Sequence, residues 1–151
     1  MKKAVLSMDI EDWYHLDYFD QNECDTSQTM LDGLDVFLEL LDSLSISSSF
    51  FVLGEIANKE INLYKDLIRC GHDISSHGWN HKRPMKMTLN EFNEDLKMNV
   101  DLMKKINGDI KFGYRAPCFS IDRQRLDLVK KSGFSYDSSR IDFGSHPLYG
   151  S

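Results

Sequence analysis

An α/β fold with a parallel sheet, built as a partial or distorted (β/α) barrel, is predicted by three observations. Apolar periodicity switches repeatedly between short strand-like runs and longer stretches with three- and four-residue steps, the pattern of alternating strands and helices. Three clusters of chemically capable residues each follow a predicted strand, and strand carboxyl ends are where such folds gather reactive groups. The chain has 151 residues, below the ~200 or more of a closed parallel barrel, so the barrel is expected to be open or truncated at its C-terminus.

Ala4 to Met8 is a brief apolar run ending at an acidic cluster, which predicts a buried first strand. Residues 12–28 carry no clean period and read as a loop. From Met30 to Leu44, Leu31, Leu34, Phe37, Leu38 and Leu41 recur at helical spacing and predict an amphipathic helix. Ser48 to Leu53 is aromatic and β-compatible and stops at Gly54, giving a second strand. A helix is expected from about Glu55 to Cys70, closed by Gly71, followed by a short third strand from His72 to Ser76. Thr88-Leu89-Asn90-Glu91 is a capping box that opens a helix whose stripe is Leu89, Phe92, Leu96, Val100 and Met103, ended by Gly108. A fourth strand is predicted over Ile110 to Tyr114, a helix over Arg123 to Lys131 stopped by Gly133, and a fifth strand over Phe134 to Tyr136. Residues 1–151 form one expected domain, with no repeat or linker.

Composition narrows the function classes. Hydrophobic residues make up 41% and charged residues 28%, an ordinary globular balance. A net charge of -6 argues against a nucleic acid partner, which needs a basic patch. It leaves a sugar polymer open, because glycans are bound by stacking and hydrogen bonds. Three widely spaced cysteines, Cys24, Cys70 and Cys118, give no disulfide framework. The apolar run after Met1-Lys2-Lys3 is interrupted by Asp9 and Glu11, so no secretory segment is read there, and no stretch approaches the ~20 apolar residues of a membrane span. A cytoplasmic location is the expectation.

The first cluster is Asp9-Ile10-Glu11-Asp12-Trp13-Tyr14-His15. Three neighbouring carboxylates repel one another, so a buried cluster favours a cation. Asp9 and Glu11 share a side if the chain stays extended. The second is Ser76-His77-Gly78-Trp79-Asn80-His81, whose His-x-x-x-His spacing can aim two imidazoles at one divalent ion from a helical turn or a tight loop. His72, on the strand itself, is read as structural. The third is Gly113-Tyr114-Arg115-Ala116-Pro117-Cys118, where an arginine ahead of a proline turn can bind a carboxylate bidentately. Cys118 has no activating base nearby in sequence and reads as a plain thiol.

In this order, these residues resemble the NodB-type polysaccharide deacetylases, the family four carbohydrate esterases. That family opens on an acidic strand end, continues with Ser/Thr-His-x-x-x-Ser/His, matched by Ser76-His77 through His81, and has an arginine–proline turn, matched by Arg115-Ala116-Pro117. Phe-Phe-Val-Leu-Gly, Gly-His-Asp-Ile-Ser-Ser-His-Gly, Gly-Tyr-Arg-Ala-Pro and Tyr-Asp-Ser-Ser look like a subgroup tied to exopolysaccharide or surface-glycan biosynthesis. The likeness runs from Val5 to Ser139 and implies a polysaccharide deacetylase barrel, of which this chain is the N-terminal portion.

The resemblance further implies hydrolysis of N-acetyl or O-acetyl groups on a polysaccharide or oligosaccharide. A divalent metal, typically zinc, would be held by His77, His81 and one carboxylate, with Asp9 as general base and Arg115 fixing it. Backbone N–H groups near Cys118 and Pro117 would face the oxyanion, and Trp13 would line the substrate site. The family places base and ligand side by side, whereas Ile10 follows Asp9 here, so either Glu11 or Asp12 supplies the metal carboxylate. The family's closing leucine–histidine motif, which carries the general acid, is not matched; His146 and His15 are the remaining histidines to weigh. Two other readings compete: a same-fold hydrolase of a small cyclic amide, and a truncated domain that binds glycan without turnover. An incomplete barrel also leaves sheet edges that a second copy of the chain could cover.

Overall fold

A computed structural model describes residues 4–16, 18–20 and 22–141; His146 lies outside them. Five parallel strands form one sheet in sequential order: β1 (Ser7–Ile10), β2 (Ser49–Val52), β3 (Asp73–Ser76), β4 (Gly113–Tyr114) and β5 (Tyr136–Asp137). Register runs straight across the first three, Ser7 beside Ser49 beside Asp73, and Ser76 then pairs with Tyr114 and Gly113 with Tyr136. The connecting helices are α1 (Leu34–Ser43), α2 (Gly54–Ala57), α3 (Ile61–Arg69), α4 (Leu89–Asn107) and α5 (Arg123–Ser132). Sequential parallel strands joined through helices make the α/β barrel arc that was expected.

Strand alternation separates two environments. Ile10, Phe50, Val52, Ile74 and Tyr114 join Tyr64, Leu67, Phe92, Leu96 and Met103 from the helices in the main core. The opposite face carries Ser7, Ser49, Phe51, Asp73, Arg115 and Tyr136 around a shared concavity, so the polar positions of each strand point inward along the arc. Helix α4 is the longest described element and packs on β3 and against α3 and α5. It begins with the predicted capping box, in which Thr88 Oγ accepts from Glu91 N–H at 3.2 Å and Glu91 accepts from Thr88 N–H at 2.7 Å.

Several boundaries differ from the sequence expectation. Strand β1 begins at Ser7, and Val5 and Leu6 ahead of it are exposed rather than buried, although the Leu6 carbonyl still accepts from Ser49 N–H at 3.1 Å. The helix expected over 55–70 is two, α2 and α3. Ile56 and Ile61 are five residues apart, off the helical period, and the break at 58–60 lets both pack on the core. The first residues of the Met30 helix are a 3-10 turn, Met30–Gly33. Strand β4 shrinks to two residues because Ile110 closes a turn back to Asn107 and faces solvent. Strand β5 begins two residues late, Phe134 serving the core instead. His72 is structural as read: its Nδ1 accepts from Ser48 N–H at 3.2 Å and its ring packs edge-on to Phe50. None of the three cysteines forms a disulfide. Among the described residues no helix is long and apolar enough to cross a membrane.

Candidate active site

The three clusters meet at the carboxyl end of the sheet. β1 delivers Asp9, and Glu11 follows one residue beyond the strand on the same side, as alternation requires. Asp12 turns away. It caps the 3-10 turn Trp13–His15, accepting from Trp13 N–H at 2.9 Å and from the Thr29 hydroxyl. Of the two carboxylates left open by the sequence, the structure brings Glu11 to the histidines and engages Asp12 in capping.

The loop after β3 is the tight loop of the two alternatives considered, not a helical turn. Gly78 takes φ 78° and His81 φ 63°, a conformation that side-chain-bearing residues rarely adopt. His77 and His81 are both nearly inaccessible, with ring centroids 5.3 Å apart. Glu11 Oε2 lies 2.7 Å from His81 Nε2 and 3.4 Å from His77 Nε2. Yet this oxygen is buried and receives no hydrogen bond of normal geometry. One ligand atom from each of Glu11, His77 and His81 lies within 4.8 Å of the others. Two imidazole nitrogens and a carboxylate oxygen converging without mutual hydrogen bonds is a donor set that fits one divalent cation. Burial raises the Glu11 carboxyl; with both imidazoles protonated and donating to it, their charge would outweigh burial and hold it down to about 2, whereas with their lone pairs turned inward the same pocket calls for a cation between them.

The tautomer of His77 follows from its other side. Nδ1 is 2.9 Å from the Arg115 carbonyl, which can only accept, so Nδ1 carries the proton and Nε2 presents its lone pair toward Glu11. Arg115 therefore touches the cluster twice, through its backbone and through its guanidinium. Its Nη1 donates to Asp9 Oδ1 at 2.6 Å, while Nη2 donates to Ser7 Oγ at 3.0 Å and Ser138 Oγ at 2.8 Å. The bidentate carboxylate bond expected from the sequence is thus not formed, because two serine hydroxyls take the second arm of the fork. The guanidinium also stacks over Phe51 at 3.9 Å. Asp9 Oδ2 faces His77 Nε2 at 3.9 Å.

Pro117 opens a short turn in which Cys118 and Phe119 take φ 51° and 54°. This turn presses against the histidine loop: a Cβ added at Gly78 would sit 3.2 Å from Pro117 Cγ. Ser139 Oγ accepts from Ala116 N–H at 2.8 Å and donates to Asp137, tying the arginine turn to β5. Trp13 is half-buried, donates to the Gln28 carbonyl at 3.1 Å, and packs edge-on with Tyr14 and Phe19. His15 is buried with both nitrogens engaged. Nδ1 accepts from Asp12 N–H at 2.8 Å, leaving Nε2–H for Glu55 at 2.8 Å. Sequence reading assigned no role to Ser7, Phe51 or Ser138. The Tyr-Asp-Ser-Ser run was the available signal for the last of these.

Residues 19–136 match the family model for polysaccharide deacetylase. A peptidoglycan deacetylase of Helicobacter pylori is 27% identical over 117 residues, covering 78% of this chain and 40% of that protein. Chitin deacetylase 1 of Saccharomyces cerevisiae is 27% identical over 110 residues, covering 72% and 36%. Among solved structures, a putative polysaccharide deacetylase from Mycobacterium smegmatis superposes with a TM-score of 0.75 at 25% identity, covering 89% of this chain and 50% of that one. The chain therefore spans half or less of the length of these relatives. With the family model matching most of its length and the parallel arc superposing on a solved relative, the chain belongs to the polysaccharide deacetylase family.

Proposed function

We propose that this chain provides the metal- and base-bearing part of an active site that hydrolyses N-acetyl groups on a glycan. Glu11, His77 and His81 hold a divalent ion, and two histidines with one carboxylate are a donor set that catalytic zinc sites use. The observation that carries this is the convergence of Glu11 Oε2 with two buried imidazole nitrogens, at 2.7 and 3.4 Å, without hydrogen bonds of normal geometry between them. Bound there, the ion supplies Lewis-acid polarisation of the acetyl carbonyl and acidifies a water.

The chain's own residues do the rest. Asp9 accepts the proton of the attacking water on Oδ2, the oxygen that Arg115 leaves open. Arg115 fixes the carboxylate rotamer through a charge-assisted bond, and Ser7, Ser138 and Phe51 fix the arginine. The backbone of the Pro117–Phe119 turn, Cys118 included, flanks the developing oxyanion, and Trp13 borders the sugar. Water adds to the carbonyl carbon, the carbon–nitrogen bond breaks, and acetate and a free amine leave once the amine has gained a proton. The substrate class follows from the family and from relatives named for peptidoglycan and chitin.

One observation favours a second reading, a domain that binds metal and glycan without turnover. The described histidines outside the pair are committed elsewhere: His15 has both ring nitrogens engaged, and His72 precedes β3 at the far end of the strand. Neither is placed to protonate a leaving amine. Zinc titration followed by acetate release from N-acetylated chitooligosaccharides separates the readings. Stoichiometric zinc and chelator-sensitive acetate release, lost in Asp9→Asn with zinc retained, is the expected result. Zinc without acetate selects the binder, and a folded chain that takes up no zinc refutes both.

A further inference from the structure

We propose that helix α4 clamps the histidine loop from behind, and that Asp95 and Asn99 are positioning residues that hold His77 and His81 at ligand spacing. The proposal rests on the metal-site reading above and deepens it. The loop has no regular secondary structure and contains two residues at positive φ, Gly78 and His81. A backbone of that shape persists only where its surroundings over-determine it.

The surroundings do so peptide by peptide. Gly78 N–H donates to Ser76 Oγ at 3.2 Å, and Ser76 Oγ in turn donates to Asn99 Oδ1 at 2.9 Å. Trp79 N–H donates to Asp95 Oδ1 at 3.2 Å. Asn99 Nδ2 closes the network, donating to the Asp95 carbonyl at 2.8 Å and to Asp95 Oδ2 at 3.1 Å. The carbonyls of the same two residues are taken from the other side, Gly78 O by Gly54 N–H at 2.9 Å and Trp79 O by Glu55 N–H at 3.1 Å. The Gly78–Trp79 peptide is therefore fixed through donor and acceptor alike, its N–H by Asp95 of α4 and its carbonyl by Gly54 of α2, while the Gly78 N–H is held by Ser76 of β3, which Asn99 of α4 anchors in turn.

Burial marks the network as more than surface decoration. Ser76 and Asn99 are each 0% exposed, and polar groups are tolerated at such depth only when hydrogen-bonded. Asn99 interrupts an apolar stripe formed by Phe92, Leu96, Val100 and Met103, where a hydrophobic residue would fill the core without needing partners. A contrast on the same helix is instructive. Buried Asn107 spends its amide on the Met103 carbonyl within its own helix, whereas Asn99 reaches out to Ser76 on β3.

The test uses the full chain and two readouts. In chelator, amide hydrogen exchange at Trp79 and Gly78 reports the loop without any metal; zinc affinity by competition with a coloured chelator reports ligand spacing. Asp95→Ala and Asn99→Ala are expected to speed exchange at both amides and to weaken zinc binding roughly tenfold to a hundredfold, the range for supporting residues around a metal. Asp95→Asn keeps an oxygen for Trp79 N–H and is expected to restore most of the affinity. Where Asp95→Ala fails to fold, Ser76→Ala removes one buried oxygen and is read in its place. Unchanged exchange and unchanged zinc affinity in folded variants would overturn the clamp while leaving the metal site standing. No zinc uptake by the unsubstituted chain would instead refute the metal reading, and the exchange measurement would still decide whether α4 holds the loop.

Discussion

Arg115→Met tests the junction between Asp9, the proposed base, and the rest of the site. The substitution keeps most of the stem of a side chain that is 12% exposed and removes the guanidinium bonded to Asp9, Ser7 and Ser138. Breaking a buried ion pair by removing one partner costs about 3–5 kcal/mol. Asp9 is 24% exposed, so water recovers part of the loss, and the expected destabilisation lies near the lower end, about 3 kcal/mol. Arg115→Lys keeps the charge but cannot reach Asp9 and both serines together, and roughly half the loss is expected. Urea unfolding followed by circular dichroism, at neutral pH and in chelator, isolates this effect from any metal. The pair is partly shielded, so the difference should change little between low and high salt. A loss below about 1 kcal/mol for Arg115→Met, the range of exposed ion pairs, would show that the guanidinium is not the structural centre described here.

Three further outcomes are expected. Burial pushes the Asp95 carboxyl up to about 6, against the opposing pull of Trp79 N–H, Asn99 and Lys82. Between the unfolded value and about 6 the native state holds a proton that the unfolded chain has released, so stability falls as pH rises through that window, by up to about 3 kcal/mol. Urea midpoints from pH 4.5 to 7 should show this decline in the parent and a flatter curve in Asp95→Asn; parallel curves would contradict it. Gly54→Ala places a Cβ 2.4 Å from Trp79 Cε3, and thermal melting should show the overpacking cost of about 1–3 kcal/mol together with weaker zinc binding. Asp122→Ala removes the cap that accepts from Arg125 N–H at 2.8 Å; about 1 kcal/mol of stability should go, with zinc affinity unchanged.

What could be read from the chain was whatever depends on neighbours in sequence. Strand alternation was enough to put Asp9 and Glu11 on one side, and the His77-x-x-x-His81 spacing was enough to pair two imidazoles. The choice between Glu11 and Asp12 was harder, because it turns on Thr29, seventeen positions away, whose hydroxyl takes Asp12 into a cap. The division of the Arg115 fork was out of reach for the same reason, since Ser7 arrives from the first strand and Ser138 from the residue just after the last. Helix boundaries failed where composition stayed helical but the core required a phase change, as between Ile56 and Ile61. Asn99 left one legible trace, a polar residue inside an apolar stripe, but its partner on β3 is a tertiary fact.

The backbone is left-handed at His81, Cys118 and Phe119. Each such residue costs on the order of 1–3 kcal/mol, a sizeable share of the marginal stability of a small domain. Exchanging His81 for glycine or asparagine would relax the chain and remove one of the two buried imidazoles in one step. Backbone ease and retention of the imidazole therefore pull in opposite directions at this position.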